Sequence, residues 1–389
     1  MTPAARIAAA IEVLDEGLAG TAIEVILQKW ARSHRFAGSK DRAAIRDLVF
    51  EVLRAKRSLG VIGGGTDGRA LLLGLAKRDG LDFATLFSGD GYGPAPLTAV
   101  EQAVLDADPD LTLAEQADLS DWLWPMWQDN LGADAMSVAQ TMRHRAPVTL
   151  RVNHRRADVD DVMQKLLVDG IVTRKIDNSF ALQVIENERR IKNSPAYLDG
   201  LVELQDLASQ RALEGFDLAE TAKVLDYCAG GGGKALGLAD YYGVAVVAHD
   251  IAPQRMIDIP ERAHRANARV TPVNPEDISG LQCDLVFCDA PCSGSGTWRR
   301  APEAKWALTV EKLQNLNAMQ DDVLAKSAGY VGKDGLLAYA TCSILHAENQ
   351  DRITAFLRDH PDWKLETQWQ LLPDAQKDGF FRATLRRGS

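Results

Sequence analysis

Val224-Leu225-Asp226-Tyr227-Cys228-Ala229-Gly230-Gly231-Gly232-Gly233-Lys234 runs from a short apolar stretch through an acidic residue into four consecutive glycines. The apolar start reads as a buried strand ending at Asp226. The glycines read as a tight turn whose backbone can approach a ligand, and the next helix opens there with its N-terminus favouring an electron-rich group. Beyond this stretch the pattern repeats. Strands are predicted over 224–226, 245–249, 269–273, 285–288 and 335–339, with helical spacing over 235–241, 254–266 and 310–329. Near-continuous apolar strands alternating with helices mark an α/β, doubly wound parallel sheet, whose ligands lie at the carboxyl ends of the strands.

The front of the chain has another texture. Ala5-Ile7-Ala8-Ile11-Leu14, Ala22-Val25-Ile26-Trp30 and Ile45-Leu48-Val49-Val52-Leu53 form three apolar stripes at helical spacing. Ser39 or Asp41 is placed to cap the third helix, and residues 63–68 and 89–94 read as glycine-rich loops. Such a helical module can bind protein or RNA, or simply pack. From about Trp122 a small α+β segment follows, with strands over 147–153 and 181–185 and a helix over 159–169, and a helix over 206–219 then leads into the final domain. Three domains are expected: residues 1–120 helical, 121–205 a small α+β insert, and 206–389 the α/β domain.

The 389 residues are 46% hydrophobic and 25% charged, enough for packed cores and unlike a disordered chain. No apolar run approaches the ~20 residues needed to span a bilayer, and the first residues carry no signal-peptide pattern. A cytoplasmic, monomeric protein with no obligate protein partner is expected. The five cysteines fit neither a secreted disulfide framework nor paired zinc ligands, so reduced thiols and no metal are expected. A net charge of −10 weighs mildly against nucleic acid. Against it stands a local cluster of Arg143, Arg145, Arg151, Arg155 and Arg156 with His144 and His154, which suits RNA backbone or a solvated face equally well.

The glycine turn is not a phosphate-binding Walker loop, because Lys234 is followed by Ala235 rather than Ser or Thr. Asp-x-x-x-Gly-x-Gly, over residues 226–232, suits S-adenosylmethionine better than a strict dinucleotide fingerprint. Asp250, at the end of the next strand, is placed to accept hydrogen bonds from ribose hydroxyls. On these residues NAD and S-adenosylmethionine both remain open.

Two cysteines narrow the chemistry. Asp289-Ala290-Pro291-Cys292-Ser293 and Ala340-Thr341-Cys342-Ser343 each put a thiol just past a buried strand. A dehydrogenase has no need of such a pair, whereas a pyrimidine C5-methyltransferase does. Cytosine C5 is a poor nucleophile until a thiolate adds at C6, one hard step split into easier ones. The thiol pKa of ~8.5 must then be lowered, or the proton removed as the bond forms. Asp289 is placed to bond the ring N3 and exocyclic amine where charge develops. A second thiol could assist release of the product.

The chain resembles the RsmB/NOP (Sun-type) family of RNA cytosine-C5 methyltransferases, RsmB-like in its layout. The matching segments are the 224–234 turn, Asp284-Leu285-Val286-Phe287-Cys288-Asp289-Ala290-Pro291-Cys292-Ser293-Gly294-Ser295-Gly296-Thr297, Arg299-Arg300-Ala301-Pro302-Glu303, Tyr339-Ala340-Thr341-Cys342-Ser343 with Glu348-Asn349, and Asp378-Gly379-Phe380-Phe381-Arg382-Ala383. The resemblance implies a class I methyltransferase Rossmann-like domain acting on ribosomal RNA, preceded by a NusB-like helical RNA-binding domain and an RNA-contacting insert. Transfer RNA as substrate, or a catalytically idle RNA-binding assembly factor, are the alternatives. It implies Cys342 as nucleophile, Cys292 as helper in release, and Asp289 and Lys234 beside them. The implied S-adenosylmethionine residues are Cys228, Ala229, Gly230, Gly231, Gly232, Gly233, Lys234, Asp250, Arg255 and Asp289, with Asn274 or Asp277 facing the adenine. Gly231 stands where the family usually has proline, which loosens the turn but keeps its backbone donors.

Overall fold

The computed structural model describes residues 1–388 and divides into two compact units. The first holds residues 1–145 together with 298–306, and the second holds 146–297 and the chain from Ala307 onward.

The first unit is helical. Helices Pro3–Leu18, Ile23–Ser33 and Ser39–Arg54 carry the three expected apolar stripes, and Ile7, Val13, Leu14, Ile26, Ile45, Val49 and Val52 meet in its core. Their start signals differ from expectation. Gly38 precedes the third helix without a side-chain cap, while Asp41 lies in its first turn and accepts from Arg6 Nε at 2.9 Å. The stretch that reads as loop is shorter than expected, because helices Lys56–Gly63 and Gly68–Arg78 leave only residues 64–67 between them. Gly63 and Gly74 let these helices touch. An ideal Cβ on Gly63 would overlap the Ala70 carbonyl oxygen, and one on Gly74 the Leu59 carbonyl. Glycines that punctuate a sequence can thus serve close helix packing instead.

The unit also extends past the expected boundary at 120. Residues 121–145 form helices Leu123–Leu131 and Ala135–Thr141 that belong to it, so the division falls at 145. Segment 298–306 returns from far along the chain. Trp298 stacks on the buried Trp127 at 5.8 Å between ring centroids, Arg54 Nε donates to the Arg299 carbonyl at 2.7 Å, and Trp306 Nε1 donates to the Leu53 carbonyl at 2.6 Å.

The second unit holds two sheets. The smaller has the order β2-β3-β1-β4, from Val148–Val152 (β1), Val172–Lys175 (β2), Ala181–Glu186 (β3) and Val202–Leu204 (β4), all antiparallel. The expected strands are β1 and β3. β2 and β4 are too short and too charged to show in the sequence pattern. The expected helix over 206–219 is only Leu207–Arg211.

The larger sheet comprises Lys223–Asp226 (β5), Ala245–His249 (β6), Val270–Val273 (β7), Cys283–Asp289 (β8), Val331–Thr341 (β9), Trp363–Leu371 (β10) and Phe380–Arg387 (β11). Its order is β10-β11-β9-β8-β5-β6-β7, with β5 to β9 parallel and β11 antiparallel to both its neighbours. This is the Rossmann-like class I methyltransferase sheet expected from the turn and the strands. Period-two alternation sends Val224, Leu285, Phe287, Ala338 and Ala340 to one core and Leu225, Val286, Cys288, Leu337 and Tyr339 to the other. β10 escaped the sequence reading because it is a largely exposed edge strand of mixed polarity. Among the described residues no helix is long and apolar enough to cross a membrane.

Candidate active site

The order reverses between β5 and β8, and the chain leaves β5, β6, β8 and β9 at the same edge of the sheet. A cavity of about 870 Å³ opens there, lined among others by Gly230, Lys234, Asp250, Asp289, Cys292 and Cys342. It belongs wholly to the second unit. Strand register explains why sequence-distant residues meet. Asp289 pairs with Ala340 across β8 and β9, so the segments carrying Cys292 and Cys342 leave adjacent strands together. Their sulfurs lie 3.5 Å apart.

The turn after β5 forms one wall. Gly230 adopts φ +51°, and an ideal Cβ there would lie 3.1 Å from Arg255 Nη2, so glycine suits both the backbone and the space. The Gly230 amide donates to Asp250 Oδ2 at 2.9 Å, the Ala252 amide to Oδ1 at 3.0 Å, and Arg255 pairs with Asp250 at 3.0 Å. Cys228, Ala229, Gly231, Gly233 and Arg255 also line the cavity. Gly232 does not. It precedes helix Gly233–Tyr242 in the left-handed region and packs against Ile259. Asn274 and Asp277 do not line it either. They hydrogen-bond each other as a capping box at the surface, while Pro275 and Ile278 face the cavity. The cavity volume and the open glycine wall fit a nucleoside-sized ligand, and Ile251, exposed at the rim, offers an apolar face to its base.

At the opposite wall Lys234 pairs with Asp289 at 2.5 Å. Burial works to lower the Lys234 pKa, but Asp289 outweighs it, so the ammonium is held above its ordinary value. Next to it the thiols part company. The bond from Cys292 lowers the Cys342 pKa, against burial and Asp289 and with help from Lys234 and from the Thr297 hydroxyl at 3.9 Å. The same bond raises the Cys292 pKa well above an ordinary thiol, assisted by burial and by the nearby carboxylates Glu348 and Asp289. The arrangement makes Cys342 the more acidic of two adjacent thiols. Behind them Asp226 is fully buried, and burial pushes its pKa up to about 7 despite the pull of Lys234.

The catalytic residues expected from sequence, Cys342, Cys292, Asp289 and Lys234, therefore meet in one place. Thr297 and Glu348 join them without having been singled out, although Glu348-Asn349 stood within a recognised segment. The arginine cluster is divided between the two units. Arg143 pairs with Asp118 in the helical unit. In the other unit Arg151 is buried against Asp240, Arg155 pairs with Glu220, and Arg156 donates to the Asp199 and Arg265 carbonyls. These guanidiniums brace the fold, because neighbours in sequence point to different partners. All five cysteines are free, and among the described residues no His, Cys, Asp and Glu group could hold a metal ion.

Comparison with known proteins agrees with this geometry. Residues 215–386 match the family model described as 16S rRNA methyltransferase RsmB/F. Residues 119–187 match the ferredoxin-like domain of RsmF/B-like methyltransferases. A Proteus mirabilis protein called ribosomal RNA small subunit methyltransferase B is 31% identical over 259 residues, covering 64% of this chain and 61% of that protein. The chain thus spans about three fifths of that relative's length. Among solved structures, the crystal structure of PH0851 superposes with a TM-score of 0.79 at 23% identity, covering 100% of this chain and 99% of that one. A methyltransferase homologue from Pyrococcus horikoshii gives 0.62 at 22% identity, covering 71% and 97%. These two likenesses concern the fold, whereas the motif-bearing β5–β11 region is the part that the sequence matches place. The chain belongs to the RsmB/F methyltransferase family.

Proposed function

We propose that the protein is an S-adenosylmethionine-dependent RNA (cytosine-C5) methyltransferase acting on small-subunit ribosomal RNA, with Cys342 as nucleophile and Cys292 aiding product release. The observation that carries this reading is the asymmetric thiol pair, 3.5 Å apart on the floor of a nucleoside-sized cavity. Family membership and the name of the Proteus relative support ribosomal RNA over transfer RNA as the substrate.

Cys342 acts first. Its thiolate adds to cytosine C6, forming the S–C6 bond and pushing the C5–C6 electron pair toward C5 and the ring. Asp289 accepts from the exocyclic amine, and the Lys234 ammonium held against it faces the charge that develops on the ring. Cys228, Ala229, Gly230, Gly231, Lys234, Asp250 and Arg255 would hold S-adenosylmethionine, which supplies an electrophilic methyl group to C5. The C5 proton then leaves to solvent, and its bonding pair restores the C5–C6 double bond as the S–C6 pair returns to Cys342. The protonated Cys292 hydrogen-bonds the departing sulfur and favours that elimination. The target base must leave its stack to reach the thiols, since chemistry on a base needs it splayed into a pocket.

Labelled S-adenosylmethionine with total RNA tests the assignment. Cys342→Ala is expected to transfer no label. Cys292→Ala is expected to accumulate a protein–RNA adduct that survives denaturation. Label transfer undiminished by Cys342→Ala would overturn the reading, and the mapped methyl position distinguishes ribosomal from transfer RNA.

A further inference from the structure

Glu348 is completely buried, yet among the described residues no basic side chain pairs with it. A buried carboxylate without a cation is costly unless hydrogen bonds satisfy it, and a site built only for stability would do as well with an apolar side chain. Its bonds run to both thiol-bearing segments. Oε1 accepts from the Ser293 amide at 2.7 Å and from Gln320 Nε2 at 3.1 Å. Oε2 accepts from the Ser293 hydroxyl and, at 2.5 Å, from the Ser343 hydroxyl. Ser293 directly follows Cys292, and Ser343 directly follows Cys342. Gln320 also donates to the Pro291 carbonyl at 2.9 Å, on the other side of Cys292. The Glu348 carbonyl is itself fixed by the Tyr339 hydroxyl at 2.7 Å, and Asn349 holds Thr341 and Ser343 at 2.6 and 3.0 Å.

We propose that Glu348 is the positioning residue of the thiol pair, a carboxylate clamp that ties the Cys292 segment to the Cys342 segment and sets the separation of their sulfurs. The inference rests on the roles given above to Cys342 and Cys292. Glu348 touches neither thiol and acts through the two serines. Its charge serves the same end, since it disfavours a Cys292 thiolate, whereas the charge near Cys342 that favours ionisation is that of Lys234. Tyr339, whose hydroxyl donates to the Glu348 main-chain carbonyl, has its pKa raised first by burial and then by Cys288, Cys292 and Glu348, so it stays a neutral donor.

Glu348→Gln keeps the volume but sets an amide against four donors. Steady-state methyl transfer by the full chain is expected to show kcat down by roughly 30- to 100-fold, the scale of a small misplacement of reacting groups, with KM for S-adenosylmethionine within about twofold of the parent. Iodoacetamide with peptide mapping reads the clamp without RNA. The parent is expected to be alkylated at Cys342 ahead of Cys292, and Glu348→Gln to lose that preference. Ser343→Ala, which removes one bond and leaves the carboxylate, is expected to lower kcat by about tenfold with KM unchanged, and it decides the matter if Glu348→Gln does not fold. Parent-like kcat and parent-like thiol preference in the folded variants would overturn the clamp. Activity retained by Cys342→Ala would instead overturn the thiol roles, and the alkylation result would still judge the positioning of the pair.

Discussion

Replacing Asp226 by asparagine probes the charge economy of the cavity. Asp226 ends β5 with no exposed surface, and neither carboxylate oxygen meets a hydrogen-bond donor at bonding geometry. Burial raises its pKa from 3.8 to about 7, Lys234 opposes that rise, and Asp289 and Asp250 add to it. In that interval the folded state keeps a proton that the unfolded chain has released. Stability is therefore present in full below 3.8 and is lost as pH rises through 7. The difference is worth about 4 kcal/mol. Asparagine mimics the protonated acid and carries no proton to lose. The advantage of Asp226→Asn over the parent should grow by roughly 3 kcal/mol between about pH 5 and about pH 8. For a unit of this size that is a Tm gain on the order of 10 °C. Calorimetry at both pH values, with the transition of the α/β unit followed in parent and variant, makes the comparison. A Tm difference independent of pH, or a variant less stable at the higher pH, would refute the assignment of a buried, proton-holding Asp226.

Lys305 should show the opposite trend in the helical unit. Burial lowers its pKa to about 7, against the pull of Asp118, while it donates to the Arg54 carbonyl at 2.8 Å. The folded state there favours the neutral amine, so this contribution is complete above 10.5 and is lost as pH falls through 7. Lys305→Met should flatten that dependence, worth about 3 kcal/mol between about pH 6 and about pH 9, in urea titrations at the two pH values. Arg151 on β1 is buried against Asp240 of helix Gly233–Tyr242 and donates to Gln205 at 2.8 Å. Arg151→Met should cost about 3–5 kcal/mol by stranding the carboxylate, and adding Asp240→Leu should recover most of it. A denaturant midpoint for the double variant no higher than that of the single one would contradict a charge-stranding cause.

The sequence by itself settled the α/β sheet, because strand–glycine–helix order and period-two apolar strands leave one economical way to bury both faces. It also brought out Cys292, Cys342, Asp289 and Lys234, whose residue types answer to one reaction. It could not show the short charged strands β2 and β4, or the exposed edge strand β10, whose pairing rather than pattern makes them strands. It misread Gly63 as the start of a loop, where glycine instead serves a close helix crossing. It grouped arginines that are neighbours in the chain but partners of different carboxylates and carbonyls. Only the tertiary structure brought Glu348 between Ser293 and Ser343 and made the two thiols unequal. Sequence spacing places a cysteine at the end of each strand, but a pKa depends on what burial removes and which charges stand nearby. That is decided by register and packing between segments fifty residues apart.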